Sequence, residues 1–273
     1  MKLNSIDTII FSPTSGSAKI AKKVADTIAA TLPKGSFERQ TEINFTQTPP
    51  EGTVYIKNSI AVIAAPVYGG RIADLAMNRF DNLKGINSYI IPIAVYGNRD
   101  YDDALIELAD FMETKNFKVI AGGAFIGEHS YSRPEMPTAE GRPDNDDMAK
   151  AEEFGKAVAE KILLSMNNSN DGSLTFSKPN IKGNRPYKEK GPHHPQTPAC
   201  DRSLCLKCGA CAMVCPAGAI EVYSEGPIFD DSLCIKCCAC VKNCPGKALT
   251  FDTPYTEKLF KNCHDRKEPE FVL

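Results

Sequence analysis

Short apolar runs recur through the first 166 residues, and each has the length of a buried β-strand. They are separated by glycine, proline and hydroxyl-bearing residues, which are typical of turns. The longest uninterrupted run, 60–67, is far shorter than the roughly 20 residues of a membrane-spanning helix. The candidate strands cover residues 6–11, 37–43, 59–65, 89–95 and 117–125.

Between these runs, apolar residues recur with the period of a helix. The clearest case has one apolar face built at four-residue spacing from Ile20, Val24, Ile28 and Leu32. Further helices are predicted over 72–80, 102–115 and 144–166. Strands that alternate with helices indicate a parallel sheet covered on both faces. The sequence therefore predicts an α/β fold, a doubly wound parallel five-stranded sheet, for a first domain of residues 1–166.

A turn rich in hydroxyl groups separates the first predicted strand from the first predicted helix. A strand, a turn and a helix in this order present unpaired backbone N–H groups and the positive end of a helix dipole to an anion. Hydroxyl side chains add neutral donors, and the turn lacks the lysine that a nucleotide triphosphate loop requires. The predicted phosphate-binding residues are Ser12, Thr14, Ser15, Gly16 and Ser17.

Aromatic residues beside glycines follow the strands predicted at 59–65 and 89–95. Ligands of parallel sheets bind outside the carboxyl ends of the strands, where the strand order reverses. A phosphate site in one loop and flat side chains in two others suit FMN, a mononucleotide with a planar ring. The alternative is that the tyrosines are ordinary loop aromatics and the sheet binds nothing. The predicted ring-binding residues are Pro66, Val67, Tyr68, Gly69, Gly70, Tyr96, Gly97, Asn98 and Tyr101.

At the level of motifs, the first domain resembles a flavodoxin. Ser12, Thr14 and, conservatively, Ser17 match the S-x-T-G-N-T phosphate loop of that family. Ser15 and Gly16 depart from it, because the family has Gly-Asn there. The resemblance implies an FMN phosphate held mostly by backbone amides and two ring-binding loops at the positions given above.

All 11 cysteines lie at or after Cys200, so they belong to one C-terminal module. Two runs with the spacing C-x2-C-x2-C-x3-C-P occupy 205–216 and 234–245. These runs resemble those of bacterial ferredoxins that hold two [4Fe–4S] clusters, and the resemblance covers residues 199–252. In such double runs the fourth cysteine serves the other cluster. The resemblance implies one ligand set of Cys205, Cys208, Cys211 and Cys244, and a second of Cys234, Cys237, Cys240 and Cys215.

Zinc and disulfide bonds are the alternatives to iron–sulfur clusters. A structural zinc site usually needs only two C-x2-C pairs with a longer gap between them, and a disulfide framework suits a small secreted chain. Cys200, Cys238 and Cys263 are left over, and we expect no ligand role for them. Cys238 occupies the place that Gly209 holds in the first run.

The rest of the composition is ordinary. With 24% charged residues and a formal net charge of −2, the chain shows no basic excess, so we predict no nucleic-acid or membrane partner. The N-terminus lacks the pattern of a signal peptide, from which we predict a cytoplasmic protein. Residues 167–198 are predicted to be a basic linker or a segment that wraps one domain. We expect the polar tail, 253–273, to pack on the surface.

The whole chain resembles the flavodoxin–ferredoxin fusion proteins, which are expected in anaerobes. The resemblance implies low-potential transfer of single electrons between FMN, two [4Fe–4S] clusters and redox partner proteins. A tether between the halves would raise the effective concentration of one carrier near the other. The oligomeric state, including a homodimer, stays open.

Two other functions are compatible with the sequence. The first is an FMN-dependent reductase of a small acceptor, a quinone or a nitro compound, fed through the clusters. His129 or Tyr101 would then shape the acceptor site. The second is a docking or sensing module whose sheet holds no flavin.

Overall fold

The computed structural model describes residues 3–169, 173–192 and 194–273, so positions 1–2 of the predicted first domain and 170–172 and 193 of the predicted linker lie outside the described residues. The helices are α1 (Gly16–Thr31), α2 (Asp74–Phe80), α3 (Ala104–Thr114), α4 (Asn145–Asn167), α5 (Ala210–Met213), α6 (Ala239–Lys242) and α7 (Pro254–Asn262). The strands are β1 (Leu3–Ile10), β2 (Phe37–Asn44), β3 (Val54–Lys57), β4 (Ser59–Tyr68), β5 (Arg71–Ile72), β6 (Leu83–Ile86), β7 (Ser88–Tyr96), β8 (Phe117–Val119), β9 (Gly122–Ile126), β10 (Ala199–Cys200), β11 (Ile220–Tyr223), β12 (Gly226–Phe229), β13 (Leu249–Thr250) and β14 (Glu270–Val272). No helix in these ranges is long and apolar enough to cross a membrane.

The main sheet runs in the order β14-β9-β7-β4-β1-β2. Five of these strands are parallel, and β2-β1-β4-β7-β9 follows the 2-1-3-4-5 order of the flavodoxin-like doubly wound fold. The predicted α/β class is therefore confirmed. The run predicted as one strand at 117–125 is two short strands, β8 and β9, which both pair with β7.

The strands are apolar because helices cover both faces of the sheet. Every residue of β7 is buried, as are the first seven residues of β4. One face packs on α1 and α4, where Val24 and Phe154 are fully buried, and the other packs on α2 and α3 around Phe80. The strand order reverses between β1 and β4, so the loops that follow these two strands meet at one edge.

The tail, residues 253–273, joins the sheet. After α7, β14 pairs antiparallel with the outer edge of β9, with Glu270 opposite Ala124. Phe271 in this strand contacts the buried Phe154, with ring centroids 4.9 Å apart. An open edge on β9 would leave backbone N–H and C=O groups unpaired, and β14 supplies their partners. The expectation of a tail that simply packs on the surface is corrected accordingly.

Residues 173–192, here called the strap, run along the first domain without regular secondary structure. At the start of the strap, Leu174 is buried and its carbonyl accepts a hydrogen bond from the Tyr89 hydroxyl. Near its end, Asp103 accepts the backbone N–H groups of Asn184 and Lys188. Basic side chains of the strap pair with carboxylates of the first domain, in the pairs Lys178–Glu113, Arg185–Asp110, Lys188–Asp102 and Lys190–Asp74. The strap therefore wraps the first domain.

The cysteine module, residues 199–252, is built from two similar halves. In each half a short helix follows a left-handed residue, Gly209 (φ 77°) before α5 and Cys238 (φ 57°) before α6. A side chain in this conformation costs about 1–2 kcal/mol, so glycine is the favoured residue and Cys238 is a strained substitute. The buried members of the module's own apolar cluster are few, namely Ile220, Cys240 and Leu249.

A buried ion pair fixes the start of α4. The Arg142 guanidinium donates to both carboxylate oxygens of Asp147, and the two side chains are 5% and 0% exposed. Arg142 Nη1 also donates to the Lys267 carbonyl oxygen at 2.8 Å, and this bond holds the tail against α4.

We predict that Asp147→Asn lowers the free energy of unfolding by about 3–5 kcal/mol, because it leaves a buried guanidinium without a counter-charge. Glu153→Gln is the matched control, since Glu153 pairs with Lys150 on the same helix but in solvent. The control should cost less than about 1 kcal/mol. Urea denaturation followed by circular dichroism measures both, and equal effects would contradict the prediction.

Candidate functional site

Thiols from both halves of the module surround a pocket of about 350 Å³ that is partly open to solvent, here called site I. Its other walls come only from the module and include Leu206, Val222 and Leu249. The predicted ligands that the structure brings together here are Cys205, Cys208, Cys211 and Cys244.

A second pocket of about 390 Å³, here called site II, holds the other predicted ligand set. Burial raises the pKa of the Cys237 and Cys240 thiols to about 12. These thiols ionise readily only where a cation compensates the charge, as ligated iron does. The predicted ligands that line site II are Cys215, Cys234, Cys237 and Cys240.

The fourth cysteine of each run lies in the pocket of the other run. Cys215 lines site II and Cys244 lines site I. Each crossing sulfur accepts a backbone hydrogen bond at 3.3 Å, Cys215 from Ala219 and Cys244 from Ala248. Hydrogen bonds to sulfur are one of the protein's means of setting a cluster potential. The chemistry of the donor set, four predicted thiol ligands at each pocket, fits four-iron clusters, and both the number of clusters and the ligand assignment stay predictions.

The three remaining cysteines have different surroundings. Cys238 also lines site II, and burial raises the pKa of its thiol. Cys200 lies beside site I, where burial and a hydrogen bond with Cys205 raise its pKa. The carbonyl of Cys263 accepts a hydrogen bond from the Asn98 amide, so this residue helps to hold the tail.

Site II faces the first domain. Tyr68 at the end of β4 and Tyr131 in the loop before α4 are both half-buried. Desolvation, together with the nearby thiols of Cys237 and Cys238, raises the pKa of each phenol. Tyr131 stacks on Phe251, which lines site II, with ring centroids 5.1 Å apart and an interplanar angle of 25°. Site II is therefore the pocket that contacts the first domain, and site I is the distal one.

The anion loop, residues 12–17, retains unpaired backbone donors at the N-terminus of α1. Ser12 is held by the fold, because its N–H donates to Thr46 Oγ1 and its hydroxyl accepts the N–H of Ala18. Ser15 is exposed and has a left-handed conformation, φ 67°. An anion at a helix N-terminus needs free N–H groups. The N–H groups of this loop without a protein acceptor among the described residues are those of Thr14, Gly16 and Ser17.

The first aromatic loop, residues 66–70, contains a tight hairpin turn. Tyr68 pairs with Arg71 across Gly69 and Gly70, whose φ values are 65° and 87°. A two-residue turn with positive φ at both positions is type I′ and strongly favours glycine. The two glycines therefore have a structural reason that is independent of any ligand. The remaining members of the loop, Pro66 and Val67, lie half-buried in β4.

Protein groups cover the second aromatic loop, residues 96–101. Tyr96 and Tyr101 are buried, with ring centroids 5.5 Å apart. The Asn98 amide donates to two carbonyls of the tail at 2.7 and 2.9 Å. A methyl group on Gly97 would lie 2.3 Å from the His129 ring. The side chains of this loop do not form an open surface for a planar ring, and their role in binding one stays a prediction.

His129 lies between the second aromatic loop and the cysteine module. Burial, with smaller contributions from the cations of Lys242 and Arg99, lowers its pKa to about 4. Its Nδ1 accepts the backbone N–H of Tyr131 at 3.0 Å. The imidazole is therefore neutral near pH 7, and it holds the loop that carries Tyr131 against site II.

Residues 201–221 match the family described as 4Fe-4S binding domain. No curated protein matches the chain. Among solved structures, it is similar to a flavodoxin from the domain Archaea (13% identity, 58% of this chain and 98% of that one, TM-score 0.38). It is also similar to an NADH:FMN oxidoreductase in its apo form (14% identity, 63% and 94%, TM-score 0.41).

A third similar structure is the rubredoxin oxygen:oxidoreductase of Desulfovibrio gigas (9% identity, 62% of this chain and 37% of that one, TM-score 0.36). These structural similarities are low, so the fold assignment rests on the strand order given above. The chain joins a flavodoxin-like fold to an iron–sulfur region.

Sequence reasoning missed three residues around site II, namely Arg79, Tyr131 and Phe251. Phe251 follows the second cysteine run by a few positions, and its proximity to a ligand set was the available signal. Tyr131 and Arg79 are distant from the cysteines in sequence, and only the packing of the two halves brings them to the module.

We predict that Cys215→Ser removes the cluster of site II, although Cys215 belongs to the first run. The variant should retain roughly half of the iron and sulfide, because the other ligand set is complete. Cys263→Ser is the control, since this thiol lines neither pocket. Iron and sulfide analysis after anaerobic reconstitution measures the content.

Double variants separate the crossed assignment from an uncrossed one. Adding Cys234→Ser to Cys215→Ser should cause no further loss, because both residues line site II. Adding Cys208→Ser should remove the remaining iron, because Cys208 lines site I. The opposite pattern would assign Cys215 to site I.

Proposed function

We propose that this chain is a low-potential electron carrier that passes single electrons between FMN in the first domain, two [4Fe–4S] clusters in the cysteine module and an external redox partner protein. The observation that best supports this is the stacking of Tyr131 of the first domain on Phe251, which lines site II, while the exposed Cys208 lines site I. Two pockets in series, one facing the first domain and one facing solvent, suit a relay.

The cysteine module would hold the clusters with the two crossed ligand sets. Bound clusters supply one-electron chemistry, and the protein sets their burial and the hydrogen bonds to their sulfurs. Cys237 and Cys240 are buried, so site II is shielded from water. At site I, Cys208 is exposed and Leu206 is 66% exposed, which leaves this side free for a partner protein.

The residues of the first domain fit FMN at its phosphate end. The free N–H groups of the anion loop and the hydroxyl of Ser15 would hold the phosphate. For the ring, the available groups are Tyr68 and the backbone of 67–69, because protein covers the second aromatic loop. FMN exchanges one or two electrons, which is what a store beside a one-electron relay requires.

The reductase alternative receives no support from the second aromatic loop. Tyr101, which would shape an acceptor site, is 3% exposed and donates its hydroxyl hydrogen to Glu270 of the tail. The His129 ring packs against Gly97, where a small-molecule acceptor would have to bind. The carrier therefore remains the proposal.

The phosphate assignment predicts that Ser15→Asp weakens FMN binding at least tenfold, because it places a carboxylate beside a phosphate dianion. Ser15→Asn is the matched control, since Asn has the same shape, carries no charge and also tolerates a left-handed conformation. Asp at the cap of a helix is favourable for the fold, so unfolding does not explain a loss. Quenching of FMN fluorescence measures the dissociation constants.

Riboflavin completes this test because it lacks the phosphate. Its affinity should be the same in Ser15→Asp and Ser15→Asn. If Ser15→Asp binds FMN as well as Ser15→Asn does, the phosphate lies elsewhere.

The relay predicts that flavin and clusters share electrons within one protein. In an anaerobic titration with dithionite, the flavin absorbance and the electron paramagnetic resonance of the clusters should follow one equilibrium at every addition. A flavin that stays out of equilibrium with reduced clusters would refute the relay. If the purified protein contains flavin and reduces a small acceptor rapidly, the result would instead favour a reductase.

A further inference from the structure

Arg79 on α2 is a buried cation at the junction of the two halves of the chain, and it is 7% exposed. Its guanidinium donates to the carbonyl oxygens of Phe45 and Thr46 in the first domain and of Pro216 in the cysteine module, the last at 2.5 Å. The guanidinium also lies over the Phe11 ring, 5.5 Å from its centroid. Every partner of Arg79 is therefore neutral.

No carboxylate pairs with Arg79 in the part of the chain that the structure describes. The two other arginines shielded within the first domain do have such partners, Arg71 with Glu107 and Arg142 with Asp147. An ion buried without a counter-ion costs several kcal/mol, and carbonyl dipoles offset only part of this. Burial accordingly lowers the pKa of Arg79. The fold therefore keeps a cation that is unfavourable to bury. The position of the Arg79 guanidinium indicates which anion compensates its charge.

That position is beside a predicted cluster ligand. Pro216 directly follows Cys215, the cysteine that crosses from the first run to site II. Four thiolates with a [4Fe–4S] core carry net negative charge, and this charge increases when the cluster accepts an electron. A fixed cation nearby stabilises the reduced cluster more than the oxidised one.

The hydrogen bonding of the crossing sulfur is otherwise the same in the two halves of the module. Cys215 and Cys244 each accept one backbone hydrogen bond of 3.3 Å. Arg79 has no counterpart at the carbonyl of Pro245, the residue equivalent to Pro216, among the described hydrogen bonds. Site II is also the more buried of the two, and burial by itself disfavours the more negative, reduced state. A cation at site II offsets this penalty.

We propose that Arg79 is the counter-charge of site II and raises the reduction potential of the cluster bound there. The inference rests on the proposed pair of clusters. Arg79 is a positioning residue, since it acts through the Cys215–Pro216 segment and the field of its charge. In the reduction, one electron passes from the reductant to the cluster, and no covalent bond forms or breaks. An electron that reaches site II is thereby held more strongly than it would be without Arg79.

The test is a potentiometric titration of the full chain with both clusters loaded, followed by electron paramagnetic resonance. Arg79→Gln keeps an amide donor and removes the charge. The reduction equilibrium of site II should become at least tenfold less favourable, which is about 59 mV for one electron. The potential of site I should stay unchanged. Arg79→Lys keeps the charge and should keep the potential of site II close to that of the unmodified protein.

The signal of site II is identified in a Cys208→Ser background, in which the site I ligand set is incomplete. Iron content and circular dichroism report whether each variant loads and folds. If Arg79→Gln loads both clusters and leaves both potentials unchanged, Arg79 is only a structural tie and the proposal is overturned.

A second pair of variants leaves Arg79 in place. Thr46 is buried, its carbonyl accepts from Arg79 and its hydroxyl accepts from Ser12, so Thr46→Asp adds a negative charge on a residue that contacts the guanidinium and offsets part of its field. The potential of site II should fall in Thr46→Asp and not in the isosteric Thr46→Asn. Equal potentials in these two variants would overturn the proposal even if Arg79→Gln fails to fold.

A phosphate at the anion loop is the competing anion, because Thr46 Oγ1 also contacts Ser12. The titrations are therefore run with and without FMN. If Arg79→Gln weakens FMN binding and leaves the potential of site II unchanged, the phosphate is the counter-ion, and the assignment of Arg79 to site II is wrong. Failure of the proposed function itself appears differently, as a lack of clusters or flavin in the unmodified protein.

Discussion

The crossing of Cys215 and Cys244 is the constraint on which the cysteine module depends. Each half of the module supplies three of the predicted ligand thiols to one pocket and one to the other, so neither half completes a ligand set alone. The apolar cluster between the halves has few buried members, and a module of this size buries too little surface to be stable on that basis. Under the proposed function, metal–thiolate bonds would supply what the core lacks and would couple folding of the module to loading of its clusters. The first domain has its own two-faced core and does not share this dependence.

Contacts between the two halves of the chain concentrate around site II. Arg79 donates to Pro216, and Gln47 donates to the neighbouring carbonyl of Val214 at 3.1 Å. On the other side of the pocket, Lys242 pairs with Glu128, and Tyr131 stacks on Phe251. Polar bonds on one side and aromatic packing on the other fix this pocket against the first domain. The described hydrogen bonds that link the module to the first domain involve no residue that lines site I.

The sequence predicted those parts of the molecule that follow from strong local chemistry. The runs that became β4 and β7 are apolar because helices bury both faces of the sheet, and such runs are recognisable without a structure. The cysteine spacing is equally informative, since few other structures require four thiols at those intervals. Both signals are carried by consecutive residues.

Features that depend on distant parts of the chain were not predictable. β14 has three residues and pairs only because β9 leaves an open edge. Asn98 was expected at a flavin ring, and the tail that covers it lies more than 160 residues further along the chain. Gly69 and Gly70 were attributed to a ligand, although a type I′ turn is sufficient to explain them. Arg79 has the sequence context of an ordinary helix-surface residue, and only the junction reveals that it is buried.

The strap and the tail change how the two halves of this protein relate to each other. A module on a flexible tether samples many orientations, and its encounters with the other half depend on the length of the linker. Here the chain is anchored to the first domain both before the module, through Asp103, and after it, through β14. The chain segments before and after the module are thus both fixed to the first domain. Under the proposed function, electron exchange across this junction would occur at a separation set by packing, so its rate should be insensitive to solvent viscosity.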